Sequence, residues 1–317
     1  MTRRVGPSAS MRYALAWITI IIATSGASVS WATTSLPAQR SFPTAERAVN
    51  ALIDATRTGR VAAFAQVLGP AGVPLVRSGD PIADRNARQR FLAAYRQRHR
   101  IELRGAGSAV LVVGPEDWPM PIPLVRTAAG WHFDTAAGAQ EILDRRIGRD
   151  ELAVIEVCRA YVHAQLDYAA LTAGDRSEPR YAEHFMSRPG RHDGLYWPVS
   201  SGEPQSPLGP LVAQARASGY APRGRHDSPR PYYGYYFRIL TAQGPHAPGG
   251  AKSYVVNGRM TGGFALLAYP ARYGISGIMT FIVSRSGIVF QSNLGPRTGQ
   301  LAPTIEQYDP GPGWVPP

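Results

Sequence analysis

Glycine and proline place the first limit on how this chain can fold. Its 317 residues include 33 Gly and 28 Pro. Glycine accepts the backbone angles that tight turns require, and proline interrupts helices and central strands. We therefore expect many turns and no long coiled coil. The hydrophobic fraction of 44% is high enough for packed cores and excludes a mostly disordered chain, and the length allows one large domain or two smaller ones.

The chain contains one cysteine, Cys158. A single thiol excludes a disulfide framework and any cysteine-based zinc or iron–sulfur cluster. Cys158 falls on the apolar face of a predicted helix, which indicates a small buried hydrophobic residue rather than a nucleophile.

His184, His192 and Asp193 are close enough in sequence to bind a metal ion together, but their loop supplies no regular geometry, so we favour ordinary hydrogen bonding there. We predict no metal and no cofactor.

The first 32 residues have the layout of a secretory signal peptide. Three arginines fall within the first twelve residues, an apolar run follows from Ala14 to Ala23, and Ser30 and Ala32 are small residues before a cleavage point at Thr33. An uncleaved membrane anchor is the alternative, but the apolar run is shorter than the ~20 residues a spanning helix needs. We expect a periplasmic or secreted protein with no stable membrane insertion after cleavage.

The charge of the chain is strongly positive. Its formal net charge is +12, and removing the three arginines of residues 1–32 leaves +9. Translation from Met11 instead of Met1 would already remove two of those arginines. Such a protein is attracted to anionic polymers at low salt. Nucleic-acid binding requires a basic face on a recognisable module, and the sequence contains none, so we predict no nucleic-acid partner.

Composition and periodicity predict an α+β fold with two small units. In chain order the predicted segments are a signal peptide at 1–32, a linker at 33–41, an N-terminal unit at 42–148, a C-terminal unit at 149–300 and a flexible tail at 301–317.

In the N-terminal unit, Thr44 can cap a helix that Gly59 ends, and Asp80 with Pro81 can begin another. That second helix carries several arginines, for which we favour a solvated face over an anion site. A short helix lies between these two helices. Strands are predicted at 108–113, 122–126 and 130–133, and a helix is predicted at 134–146. Helices followed by antiparallel strands are the element order of nuclear-transport-factor and cystatin folds.

In the C-terminal unit, Gly148 should break the helical pattern, and a longer helix should start near Asp150 and end at Gly174. Asp150 and Glu151 would then lie in its first turn, where acids suit the helix dipole. Its apolar face would comprise Leu152, Ile155, Cys158, Val162, Leu166 and Ala169. Four strands are predicted at 233–241, 264–269, 278–284 and 288–291. One long helix before such a meander is typical of pilin-like globular heads.

Several stretches resemble the bacterial family called domain of unknown function 2950. They are DWPMPIPLV (117–125), GWHFDTAAG (130–138), EILDRRIG (141–148), DGLYWP (193–198), GYYFRILTAQG (234–244) and GGFA (262–265). The resemblance covers about residues 42–294. It implies an exported bacterial protein and supplies no reaction, cofactor or catalytic residue.

The second half of the chain is rich in aromatic residues, which suit carbohydrate or peptide binding when a few polar groups accompany them. Strand alternation sends Tyr235, Phe237 and Ile239 to one sheet face, so half of this group should be core. The predicted ligand-binding residues are His192, Tyr196, Trp197, Tyr236 and Arg238.

Two functions follow from these features. The first is a non-enzymatic envelope protein that binds another protein or an anionic polymer. The alternative is a hydrolase of envelope glycans or peptides, in which Asp193 or Glu203 would act as acid or base. Whether the chain is an enzyme at all stays open, with binding preferred, because no catalytic motif is present.

Overall fold

The computed structural model describes residues 36–173, 179–221 and 229–317. The predicted signal peptide and residues 33–35 of the predicted linker lie outside the described residues. Residues 36–317 form one compact unit. Helices and antiparallel sheets occupy it together, which confirms the α+β prediction.

The N-terminal helices begin and end where their capping residues predict. Helix α1 (Ala45–Thr58) starts after Thr44, whose Oγ1 accepts the Arg47 N–H at 3.2 Å, and ends at Gly59 with φ of 66°. The next elements are α2 (Val61–Leu68), a 3-10 turn (Pro70–Gly72), α3 (Val73–Val76) and α4 (Pro81–Gln97). The Asp80 carboxylate caps α4 by accepting the N–H groups of Ile82 and Ala83, each at 3.0 Å.

The first sheet is antiparallel and follows these helices. Its strands are β1 (His99–Leu103), β2 (Ser108–Val113), β3 (Trp118–Pro119), β4 (Leu124–Thr127) and β5 (Gly130–Phe133). The order is β1-β2-β4-β5, with β3 paired to β2. The sequence pattern does not predict β1, because its residues, His-Arg-Ile-Glu-Leu, include few apolar ones, and Leu103 is exposed.

Helix α5 (Thr135–Ala173) is a single helix of 39 residues, so the predicted break at Gly148 is wrong. A glycine inside a helix costs only about 1 kcal/mol relative to alanine. Packing on both sides of Gly148 outweighs that cost. Ile142 packs against one hydrophobic cluster, Ile147 is buried, and Val154 and Cys158 lie in a second cluster. Asp150 and Glu151 are therefore mid-helix residues, and the expectation that they favour a helix N-terminus is wrong.

The buried face of α5 also differs from the predicted one. Leu152 and Leu166 are 68% and 40% exposed. Tyr161 and Gln165 are buried instead, because the Tyr161 hydroxyl donates to the Ala265 carbonyl at 3.1 Å and the Gln165 amide donates to Tyr161 Oη at 2.9 Å. Polar side chains with such partners can enter a core that an apolar pattern does not reveal.

The second sheet is the predicted antiparallel meander. The chain continues through α6 (Gly209–Ala217), β6 (Tyr235–Leu240), β7 (Ala242–Gln243), β8 (Lys252–Ser253), β9 (Val255–Val256), β10 (Arg259–Met260), β11 (Ala265–Pro270), β12 (Thr280–Ser284), β13 (Val289–Ser292), α7 (Thr298–Leu301) and a 3-10 turn (Ala302–Thr304). The main sheet has the order β13-β12-β11-β6. All four strand predictions are confirmed, with ends shifted by one or two residues.

The C-terminal segment packs on the second sheet, in contrast to the loose tail that we expected. Tyr308 is 2% exposed, and its backbone bonds Ala242 and Gly244 at 3.0 Å each. Val315 pairs with Gln291 of β13. The glycines and prolines of this segment form turns, and Tyr308 is nevertheless buried.

Buried apolar side chains form two clusters, one on each main sheet. Helix α5 contributes to both. Its Glu151 Oε1 accepts the N–H groups of Ile278 and Met279 at 2.8 and 2.9 Å, which attaches the helix to the chain entering β12. The division into two domains at residue 148 stays a prediction. Over the three described ranges, no helix has the length and apolar character needed to cross a membrane.

Candidate functional site

A cavity of about 330 Å³ lies among the N-terminal helices, the first sheet and the first half of α5. Apolar side chains form most of its wall. They include Leu52, Phe64, Leu68, Phe91, Met120 and Ile142. Its wall thus joins α1, α2, α4, the segment after β3 and α5 around one space.

Helix α4 forms one wall of the cavity without being absorbed into the core. None of its 17 residues is fully buried. Its inward residue Phe91 is half-buried and lines the cavity. The Asp80 cap fixes the N-terminus of α4, and part of the apolar face of the helix lines the cavity instead of packing in the core.

Two carboxylates belong to the cavity wall. Asp84 accepts the Ser78 N–H with both oxygens, at 3.0 and 3.1 Å, and burial raises the pKa of Asp84. The Asp150 side chain is 5% exposed and accepts from Arg149 Nε and Nη2 at 3.2 and 3.1 Å. Burial raises the pKa of Asp150 to about 6.

Three of the four arginines in the wall have protein partners. Arg146 Nη1 donates to the Pro74 carbonyl at 3.0 Å, and its Nη2 donates to the Leu75 carbonyl. Burial lowers the pKa of Arg146. Arg145 pairs with Glu141 at 2.6 Å, and Arg149 pairs with Asp150. These bonds attach α5 to the end of α3 and fix the positive charges along one side of the cavity.

The fourth arginine, Arg88, has a different environment. It is half-buried, and its guanidinium lies against Gly59, where a Cβ would be 3.1 Å from Nε. Gly59 follows the C-terminus of α1, the negative end of that helix dipole. Within the described ranges, no side chain or carbonyl accepts a hydrogen bond from Arg88.

The family model for "Protein of unknown function (DUF2950)" matches residues 39–316. The chain belongs to this family. No curated protein and no solved structure matches it. The likeness of its halves to nuclear-transport-factor, cystatin and pilin-head folds therefore stays a prediction.

The aromatic residues predicted from the sequence occupy two places in this DUF2950 protein. His192 and Trp197 stack at 4.2 Å between ring centroids, and the neighbouring Tyr196 is buried beneath the Arg216 guanidinium. Tyr236 and Arg238 lie instead on β6. The hydrogen bonds and ring contacts of the described residues do not join the two groups, so no single aromatic site follows from them.

Arg238 binds backbone rather than presenting its charge. Its guanidinium donates to the carbonyls of Ala302, Pro303 and Ile305. Tyr236 packs on Tyr269 with centroids 5.5 Å apart. Arg238 thus attaches the C-terminal segment to the second sheet, and Tyr236 packs within that sheet.

The two acids considered for hydrolysis stabilise turns. Asp193 accepts from Arg188 N at 2.9 Å and from Arg188 Nε at 2.6 Å. Glu203 is exposed and accepts the Ser200 N–H at 2.8 Å.

Among the described residues, no group of three His, Cys, Asp or Glu side chains could hold a metal ion. Cys158 is buried as predicted, and burial raises its pKa to about 12.

Sequence reasoning missed the cavity of this DUF2950 protein. Its wall is drawn from positions between Leu52 and Asp150 that share no motif. The sequence favours a solvated face over an anion site for the arginines of α4, although Arg88 lines the cavity. The apolar face of α4 is weaker than those of α1 and α2, and that difference is a signal of the cavity in the sequence.

Proposed function

We propose that this protein is a non-enzymatic binding protein and that the cavity beside α4 is its ligand site. The observation that carries the proposal is the cavity itself, about 330 Å³ with a largely apolar wall and a few charged groups. Ligand pockets have this composition and range over about 300–1,000 Å³. The ligand is accordingly a small, mostly apolar molecule.

The charged residues of the wall support binding rather than turnover. Asp84 and Asp150 both accept hydrogen bonds from protein groups, and Arg146 holds α3. The alternative, a hydrolase, has less support because Asp193 and Glu203 bind backbone N–H groups of their own loops.

A neutral fluorescent probe tests the site directly. 1-Naphthylamine, which has about a dozen non-hydrogen atoms and no charge near neutral pH, should bind saturably with a change in its emission. Ala87 is exposed on α4 and borders the cavity, so Ala87→Trp should partly fill it and weaken binding about tenfold. Ala93→Trp is the matched control, since Ala93 is exposed on the same helix and does not line the cavity. Equal effects of the two substitutions, or no saturable binding, would refute the proposal.

A second binding function involves the outer surface of α4. Arg85, Arg90 and Arg96 are exposed there, and the whole chain is basic. This favours the anionic polymer that we considered from the sequence over a purely apolar protein partner. Retention on an anionic envelope fraction should fall when the three arginines are replaced by glutamine.

We also propose that the protein is exported by bacteria and acts in the periplasm or outside the cell. The support is the layout of residues 1–32, with its basic start, apolar run and small residues before Thr33. Protein recovered from the periplasm of an expressing bacterium should begin at Thr33 on N-terminal sequencing. An intact N-terminus in the membrane fraction would favour the anchor instead.

A further inference from the structure

The charge of the cavity wall selects among apolar ligands. Four guanidinium groups and two carboxylates line it. The excess of charge along the wall is therefore positive. A cation would therefore be repelled, and an anion would gain Coulomb energy in a partly desolvated space.

Arg88 is the guanidinium best placed to receive such an anion. Arg145, Arg146 and Arg149 already donate to Glu141, to carbonyls and to Asp150. Arg88 has no acceptor within the described part of the chain, and its guanidinium lies beside Gly59 at the end of α1. A planar guanidinium binds a carboxylate with two parallel hydrogen bonds.

We infer that the ligand is a small apolar molecule with one carboxylate, bound by Arg88 with its apolar part among Phe64, Phe91 and Met120. This inference rests on the proposed function. The volume of about 330 Å³ equals that of about eleven molecules of liquid water, which limits the ligand to about a dozen non-hydrogen atoms. A two-chain lipid is too large for it.

Ligands with one tail and different head groups test the inference. Decanoate, decanol and decylammonium share ten carbons and differ in charge. Isothermal titration calorimetry on the folded protein, at concentrations below micelle formation, should show decanoate bound about tenfold or more tightly than decanol, as expected for a charge-assisted hydrogen bond. Decylammonium should bind more weakly than decanol.

Two substitutions on one helix locate the head group. Arg88→Gln should remove the preference for decanoate over decanol, a loss of about tenfold in the ratio of the two affinities. Arg90→Gln is the matched control, because Arg90 is exposed on α4 and does not line the cavity. Arg88→Lys keeps the charge without the planar fork, so it should retain part of the preference.

The outcomes separate this inference from the proposed function. Equal affinity for decanoate and decanol, with the neutral probe still bound, would overturn the inference and leave the binding function intact. Equal losses in Arg88→Gln and Arg90→Gln would overturn the assignment to Arg88. Absence of saturable binding by every ligand and by the neutral probe would overturn the proposed function. If Arg88→Gln fails to bind the neutral probe, Arg88→Lys decides: loss of the whole decanoate preference there would also overturn the inference.

Discussion

Asp80 is a buried carboxylate that connects distant parts of the chain. One oxygen caps α4 through the N–H groups of Ile82 and Ala83, and the other accepts the Tyr220 hydroxyl at 2.7 Å and the Gly234 N–H at 3.1 Å. Four donors compensate for the burial of its charge. The start of a cavity wall is thus fixed to the segment that enters β6.

Loss of the Asp80 carboxylate should therefore destabilise the protein more than loss of one of its donors. We expect Asp80→Ala to lower the free energy of unfolding by about 3 kcal/mol, since a cap and two charged hydrogen bonds disappear together. Tyr220→Phe removes one hydroxyl and should cost about 1 kcal/mol. Urea unfolding measures both values, and a larger cost for Tyr220→Phe would contradict this account.

Asp150 should make stability depend on pH. Its folded-state pKa is raised to about 6 by burial, with Asp80 adding to the rise and Arg149 and Arg146 opposing it. An acid with a raised folded pKa binds its proton more tightly when folded, so the stability it contributes is present below about pH 4 and is lost as pH rises through about 6.

Asp150→Asn removes this dependence. The unfolding free energy of the variant minus that of the wild type should increase between about pH 4 and pH 7.5, by about 1–3 kcal/mol. Denaturant titrations at both pH values give the difference. Asp167→Asn is the control, because Asp167 is an exposed acid on the same helix; an equal increase there would contradict the role of Asp150.

At this scale the sequence indicates local bonds better than distant ones. Thr44 and Asp80 are recognisable caps because their partners lie two or three residues away. The bonds from Asp80 to Tyr220 and Gly234 span 140 and 154 positions, and no periodicity reports them. The same holds for the orientation of Arg88, which depends on where α1 ends.

At the scale of elements, α5 shows how two glycines in one helix differ. A Cβ added at Gly148 would have no heavy atom within 4 Å, whereas one added at Gly138 would lie 2.2 Å from the Pro121 carbonyl oxygen. Gly148 is thus an ordinary weak point in a helix. Gly138 permits the close approach of helix and chain beside the cavity.

The two glycine-to-alanine substitutions should shift stability in opposite directions. Gly148→Ala should raise the free energy of unfolding by about 1 kcal/mol, as alanine favours helix. Gly138→Ala should lower it by about 2 kcal/mol or more, because backbone must move. Thermal unfolding measures both; a destabilised Gly148→Ala would show that the helix bends there.

Element prediction succeeds here where burial and pattern agree. The two central strands of the meander, β11 and β12, are dense in apolar residues and mostly buried. The pattern fails for α5, where Tyr161 and Gln165 are buried through hydrogen bonds and Leu152 is exposed. Tertiary contacts on both sides of Gly148 keep α5 continuous there. The local sequence pattern does not predict those contacts.

At the scale of the whole molecule, the C-terminal segment covers the second sheet. Tyr308 is buried, and Arg238 binds three carbonyls at 302, 303 and 305. Deleting residues 302–317 should lower the free energy of unfolding by about 3 kcal/mol, chiefly through lost burial of Tyr308. Deleting only Pro316 and Pro317, both exposed, should change nothing measurable. Equal stability of the two truncated proteins would show that the segment is dispensable.

The 39 residues of α5 amount to a rod of about 58 Å at 1.5 Å per residue. Both hydrophobic clusters pack against this one helix, so loss of packing in either cluster also removes contacts that stabilise the other. A chain cleaved beside Gly148 would leave each fragment with only part of α5 to pack against its sheet. We therefore expect the protein to unfold in a single cooperative transition, and a destabilising substitution beside either sheet should lower the stability of the whole unit.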